Sequence, residues 1–214
     1  MPRRQVRSPK KTIDLSGVLR EVEGLPEWLT SETLFENSKP LEIEVGSGKG
    51  LFLATTSGER SEHNFLGIEI ARPYAKSAAA RVAKQLRTNV QLIAGDAGPL
   101  FESRIPAKSL TAIHVYFPDP WWKKKHKKRR VVNETFLRNA SRTLKLGGRL
   151  HFWTDVLEYF ESALELAAQV TPELGPPIPE EAGEAEHDLD YRTHFERRSR
   201  KYSIPVYRIY WELA

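Results

Sequence analysis

A chain of 214 residues with 40% apolar content can bury a substantial core and suits one large α/β domain better than several small ones. It has no cysteine, which excludes disulfides and thiolate metal sites; no apolar run approaches the roughly 18 to 20 residues of a membrane span, and no apolar stretch follows the basic N-terminus as in a secretory signal, so a cytoplasmic protein is expected. The net charge of +5 is concentrated, since residues 1–11 carry five Lys/Arg and residues 123–130 carry seven with no acid in either, while the rest of the chain holds 21 basic against 28 acidic residues. Such clustering suits a polyanion met at a defined place better than a generally solvated basic surface.

In chain order, residues 1–16 read as a flexible basic arm, and residues 17–40 as short helices or loop packing interrupted by Pro26 and Pro40. Residues 41–45 (Leu-Glu-Ile-Glu-Val) alternate as a strand and run into Gly46-Ser-Gly48-Lys-Gly50 and a helical segment from Leu51. Glycines at such a turn let backbone pass close to a ligand and leave N–H groups aimed at it. A dinucleotide fingerprint would need glycine where Leu51 stands, and a P-loop would need glycine at Ile43 and Ser/Thr at Gly50. The next strand, Phe65 to Ile70, carries Glu69 near its end, 23 residues past Gly46, close to where a doubly wound fold places an acid for ribose hydroxyls. A helix over 73–87 and a strand over 90–95 follow; Asp96 then reads either as a helix N-cap or as an acceptor for an adenine amino group.

Leu110 to Phe117 is a further strand, and Phe117-Pro-Asp-Pro-Trp-Trp-Lys-Lys-Lys-His-Lys-Lys-Arg-Arg130 begins where it ends. Prolines on both sides of Asp119 restrict its backbone, so this carboxylate is expected to be held rather than mobile. A helix over 133–144, capped by Asn133 or the preceding turn and stopped by Gly147-Gly148, a strand over 149–155 ending in Thr154-Asp155, and a helix over 156–170 with a stripe of Leu157, Phe160, Leu164 and Ala167 or Ala168 come next. Residues 171–190, with four prolines and then six acids, read as a loop or lid; Tyr191 to Lys201 forms a second polar group, and residues 202–213 suit late strands, one of them antiparallel. Five strand–helix units imply a Rossmann-like α/β fold: a mostly parallel sheet with an antiparallel C-terminal strand and helices on both faces. The arm, residues 1–16, and a single domain over 17–214 are the expected organisation.

The order Glu44-x-Gly46-x-Gly48-x-Gly50 is the pattern of class I methyltransferases, and from about Leu41 to the C-terminus the chain resembles the bacterial tRNA (guanine-N7-)-methyltransferase family. The most specific match is Phe117-Pro-Asp-Pro-Trp121 followed by Lys123-x-x-His126-x-Lys128-Arg129-Arg130; Gly67-Ile-Glu69, Thr154-Asp155 and Thr193-x-Phe195-Glu196 support it. The resemblance implies S-adenosylmethionine as cofactor, no metal, and methyl transfer to N7 of a guanine in the variable loop of tRNA. It places Glu44, Gly46, Gly48, Glu69, Asp96 and also Asp119 with the cofactor, Asp119 and Asp155 in catalysis, and Lys123, Asp155, Thr193 and Glu196 with the substrate. Lys124, Lys125, Lys127, Lys128, Arg129 and Arg130 are the expected phosphate contacts. A monomer or homodimer is expected.

N7 carries a lone pair and no proton, so its methylation needs no general base, and carboxylates suit both a clamp on guanine's donor edge and an offset for the charge moving onto the ring. Trp121 or Trp122 is available to stack a base, although a tryptophan after a strand is more often core; the family often has histidine at the position of Trp122. His114 and His151 lie within strands and read as packed. The rival readings are a methyltransferase acting on an exocyclic amine, which prolines on both sides of Asp119 disfavour, and an RNA-binding module that binds no cofactor.

Overall fold

The computed structural model describes residues 13–181 and 193–214, so residues 1–12 of the expected arm and 182–192 of the expected lid lie outside the described residues. The chain gathers into two compact units, one ending at Ala97 and the other beginning at Gly98.

The first unit contains β1 (Leu19–Glu21), α1 (Ser31–Phe35), β2 (Leu41–Val45), α2 (Leu51–Glu59), β3 (Asn64–Glu69), α3 (Arg72–Lys84) and β4 (Val90–Ala94). Its strands lie in the order β1-β4-β3-β2, all parallel. β1 was not expected from the sequence: it is a half-buried segment of three residues on the edge, too short to show a period. The alternation of β2 also misleads. Every residue of β2 and β3 is buried, as in a sheet covered on both faces, and the acids of β2 point into packed surroundings. Glu42 survives burial because the Arg60 guanidinium holds both its oxygens and His63 Nδ1 lies 2.7 Å from it. In α3, Pro73 in the first turn and Arg81 and Lys84 in the last suit the ends of a helix, while Ala75, Ala78 and Ala79 are its buried face.

The second unit opens with α4 (Ala97–Ser103), whose first residue belongs to the unit before. It continues through β5 (Leu110–Tyr116), a 3-10 turn over Lys124–Arg129, α5 (Glu134–Thr143), β6 (Leu144–Thr154), α6 (Leu157–Val170), β7 (Ile178–Pro179), α7 (His194–Lys201) and β8 (Tyr207–Glu212). The strand order is β5-β6-β8-β7, with β6 parallel to β5 and β8 antiparallel to β6. As expected, Asn133 caps α5, its Oδ1 accepting from the Phe136 N–H at 3.0 Å.

Three sequence expectations change here. The strand expected from Arg149 begins at Leu144, because the chain turns extended directly after α5 and crosses Gly147 and Gly148 in an irregularity of the β5–β6 register. The buried face of α6 is Tyr159, Ala163 and Ala167; of the expected stripe Ala167 lies on it, Phe160 and Leu164 are half-buried and Leu157 is exposed, while Tyr159 supplies bulk that was not assigned from the sequence. Finally, the stretch after residue 170, although mostly exposed, is anchored at several points as far as it is described. Leu174 is fully buried, Ile178–Pro179 pairs antiparallel with β8, and Glu180 accepts from Trp153 Nε1 at 2.8 Å and meets His151 Nδ1 at 2.9 Å. The partner of β8 in this hairpin therefore comes from before α7, not from residues 202–213.

Candidate active site

Of the residues expected to hold the cofactor, all but Asp119 lie in the first unit. Parallel pairing aligns Val45 with Ile68 and Glu69 with Ala94, so β2, β3 and β4 end at one edge, and Gly46 to Gly50, Glu69 and Asp96 follow there. The turn after β2 is built by the Gly46 and Ser47 N–H groups donating to the Ile68 carbonyl at 2.8 and 3.3 Å. Gly46 (φ 78°) and Gly48 (φ 53°) take left-handed backbone; a Cβ on Gly46 would meet nothing within 4 Å and one on Gly48 only a carbonyl oxygen at 4.0 Å. The turn thus keeps open space beside bare backbone, where a ligand can lie close.

Glu69 is locked by backbone donors: Gly48 N–H reaches Oε2 and Ala71 N–H reaches Oε1, each at 2.8 Å. Each oxygen retains a further lone pair for a ligand hydroxyl. Glu44 is buried, and its Oε2 has no hydrogen-bond partner. Burial pushes its carboxyl up to about 8, against the lowering effect of the Ser47 hydroxyl, with the negative charge of Glu69 adding to the rise. A buried carboxylate oxygen lacking a donor beside an open glycine turn fits a cofactor that brings cationic and hydroxyl donors. Asp96 is exposed directly after β4 and before α4. Ile70, 72% exposed immediately after Glu69, was counted in the sequence as the last strand residue. This leaves an apolar side chain bare at the edge, available to a ligand, which the sequence reading did not single out; the signal was its place directly after the strand-end acid.

The second unit carries the substrate-type residues. β5 and β6 run parallel with Tyr116 opposite Trp153, and the Phe117 N–H donates to the Trp153 carbonyl at 2.8 Å. Asp119 and Asp155 therefore emerge beyond neighbouring strand ends, and both are exposed. Phe117 (φ 48°) and Trp121 (φ 46°) bracket Pro118-Asp119-Pro120 with left-handed backbone that bulky residues rarely adopt. Asp119 Oδ1 accepts the Trp121 N–H at 3.1 Å, which fixes its side chain. The ring of Phe195, in the first turn of α7, stacks on Phe117 at 5.8 Å and brings the Thr193–Glu196 motif to the same loop. Thr193 Oγ1 accepts the Glu196 N–H at 3.0 Å, capping α7. Glu196 is 2% exposed and lies 3.5 Å from the Arg208 guanidinium, which also sits 5.1 Å from the Trp153 ring centre. Arg208, on β8, is thus a partner of the site that no local motif announces.

The basic segment divides. Lys123, Lys125, Lys128 and Arg129 are exposed; the side chain of Lys124 is outside the described set. Lys127 Nζ lies 2.6 Å from Glu158. Arg130, expected among the phosphate contacts, is instead 6% exposed. Its Nε donates to the Pro120 carbonyl at 2.9 Å, its other nitrogens to Glu158 and to the Ser162 hydroxyl, and its guanidinium lies 4.4 Å from the Tyr159 ring centre. The hydrogen bonds from Arg130 and Lys127 hold Glu158 down to about 2, while burial pushes the Tyr159 hydroxyl up to about 12. Arg130 is therefore a fastener between α6 and the Asp119 loop. Arg130→Ala is expected to cost about 1–3 kcal/mol of stability, read as a lower Tm, and Arg130→Lys is expected to recover little, since a point charge cannot reproduce a forked set of donors.

Among the described residues no helix is long and apolar enough to cross a membrane, and no three His, Asp or Glu side chains are grouped to hold a metal.

Comparison with known proteins agrees with this geometry. Residues 38–209 match the family described as "Putative methyltransferase". A protein from Rhodopirellula baltica named tRNA (guanine-N(7)-)-methyltransferase is 58% identical over 214 residues, covering 98% of this chain and 79% of that one. Another so named, from Hydrogenovibrio crunogenus, is 34% identical over 186 residues, covering 86% and 76%. A solved structure titled as an antibiotic-related methyltransferase shares the fold with a TM-score of 0.59 at 15% identity, over 86% of this chain and 95% of the other. With a glycine turn and strand-end acids in one unit, a bracketed Pro-Asp-Pro loop in the other, and relatives of one name matched over more than three quarters of their length, the chain belongs to the tRNA (guanine-N7-)-methyltransferase family.

Proposed function

We propose that this enzyme methylates N7 of a guanine in the variable loop of tRNA, acting in the cytoplasm with S-adenosylmethionine as its cofactor. The observation that carries the reading is the exposed pair Asp119 and Asp155 beyond the ends of adjacent parallel strands, the first of them fixed by a backbone N–H and followed in the chain by exposed lysines.

When bound, S-adenosylmethionine supplies a methyl group made electrophilic by its sulfonium. Glu69, held by the Gly48 and Ala71 N–H groups, would accept from ribose hydroxyls; Glu44 would accept a cationic or hydroxyl donor at Oε2; Gly46 and Gly48 would let the backbone approach; Asp96 is assigned to the adenine amino group and Ile70 to the face of its ring. In the second unit, Asp119 and Asp155 accept from guanine N1–H and its exocyclic amine, which leaves N7 outward. Attack of the N7 lone pair on the methyl carbon would break the carbon–sulfur bond and release a neutral thioether, and the two carboxylates would oppose the positive charge then placed on the guanine ring. No proton leaves N7, so neither His nor Lys is asked to act as a base. Thr193 and Glu196 shape this region through the α7 cap and the Arg208 contact, while Lys123, Lys125, Lys128 and Arg129, with Lys124 and Lys127, meet phosphates.

The decisive experiment incubates the protein with unmodified tRNA and methyl-labelled S-adenosylmethionine and maps the modified nucleotide. Label at guanine N7 in the variable loop is the expected product. Label on an exocyclic amine would return the rival methyltransferase reading, and a protein that binds tRNA but gives no heat with the cofactor would be a binding module.

A further inference from the structure

Trp121 and Trp122 are adjacent in the chain but differ in surroundings. Trp121 is half-buried, with the Arg129 guanidinium 5.1 Å from its ring centre and the His126 ring at 5.9 Å. Trp122 is 70% exposed, the most exposed tryptophan among the described residues. Leaving so large an apolar ring in water forgoes about 2–3 kcal/mol of burial, and nothing in the packing requires it.

The support beneath Trp122 is firm. Its neighbour Trp121 donates its N–H to Asp119; Arg130 ties the Pro120 carbonyl to α6; Lys127 meets Glu158 on the same helix; and the segment between is a 3-10 turn rather than open loop. Exposed Lys123 and Lys125 lie on the chain just beyond it. A bare indole on a loop tied at both ends, with lysines next to it in the chain, offers the two things that hold a single-stranded nucleotide, a stacking face and phosphate neutralisation.

We infer that Trp122 is a stacking platform for an unpaired base of the tRNA, set beside the Asp119 loop, with Lys123 and Lys125 on the flanking phosphates. Trp121, half-buried against His126 and Arg129, stays with the fold. This rests on the reading of tRNA as substrate. Stacking contributes affinity without releasing counterions, so its energetic signature separates from that of the lysines.

The test measures binding of unmodified tRNA over a series of salt concentrations for the wild type, Trp122→Ala, Trp122→Phe and the double variant Lys123→Ala/Lys125→Ala, together with S-adenosylmethionine affinity and Tm. Trp122→Ala is expected to weaken tRNA binding about 5- to 100-fold, with an unchanged slope of log K against log salt, and Trp122→Phe is expected to recover part of the loss. The lysine variant is expected to flatten the slope by about 0.7 for each phosphate that is no longer neutralised. In kinetics, Trp122→Ala should raise KM for tRNA far more than it lowers kcat. Unaltered tRNA affinity in Trp122→Ala overturns the inference, as does a loss accompanied by a lower Tm or weaker cofactor binding, which would mark Trp122 as structural. Wild-type protein that fails to methylate tRNA would overturn the proposed function; wild-type protein that methylates it while Trp122→Ala binds normally would overturn only the stacking assignment.

Discussion

Asp119→Ala is expected to slow methyl transfer to tRNA by about 10²- to 10³-fold, the scale of removing one group that stabilises developing charge, while leaving S-adenosylmethionine affinity within a few-fold of the wild type. The expectation comes from the way the chain holds this side chain. Two prolines flank it, left-handed Phe117 and Trp121 bracket it, the Trp121 N–H fixes Oδ1, and Arg130 anchors the next carbonyl. So many constraints on an exposed carboxylate are a cost to the fold unless its position matters to a ligand. Asp119→Asn keeps shape and an acceptor oxygen but loses the charge, so it should fall between wild type and alanine if opposing charge on the guanine is part of the role. Single-turnover rates and calorimetry with the cofactor separate the two effects. A variant that loses cofactor binding first would move Asp119 wholly to the cofactor side.

Glu44→Gln is expected to weaken cofactor binding and to remove a pH dependence present in the wild type. Burial raises the Glu44 carboxyl from 4.5 to about 8 in the cofactor-free protein, so at neutral pH it is mostly protonated. If the complex needs the carboxylate, binding near pH 7 releases close to one proton, and affinity climbs by about tenfold per pH unit from 6 towards 8 before levelling. Calorimetry in buffers of different ionisation heat counts that proton directly. The linked effect on folding runs the other way. A carboxyl raised in the folded state contributes stability that is present below its unfolded value of 4.5 and is lost as pH rises through about 8. Glu44→Gln, neutral at every pH, should flatten that decline and be the more stable protein at pH 9 without cofactor. Cofactor affinity that is flat with pH in the wild type would remove Glu44 from the binding role.

The sequence was most informative where chemistry is local. The glycine turn, Glu69 near the end of its strand, the Asn133 cap and the Pro-Asp-Pro stretch are each specified within a few residues, because turn and cap geometries depend on φ preferences and short side-chain reach. Periodicity was a weaker guide. The alternation Leu-Glu-Ile-Glu-Val reads as one wet face, yet Glu42 and Glu44 are buried, since helices can cover both sides of a parallel sheet and a neighbouring Arg60 and His63 make Glu42 tolerable there. The stripe of α6 was only partly legible: Ala167 lies on the buried face, but that face turns on Tyr159, whose ring packs on Phe152, and Leu157 is exposed.

What the amino-acid order determined by itself was the family pattern, the α/β class, the concentration of positive charge at Lys123 to Arg130 and the types of residue available to a site. What only the tertiary structure decided was which of those residues face solvent and which are consumed by the fold. Arg130 and Arg129 are neighbours of equal charge, but one is buried on Tyr159 and Glu158 and the other is exposed; Trp121 and Trp122 divide in the same way. Arg208 reaches Glu196, and Glu180 reaches Trp153 and His151, across gaps in the chain that no local pattern spans. The physical reason is that burial and long-range ion pairing depend on what packs opposite a side chain, which strand order and register determine, and these emerge only when distant segments meet.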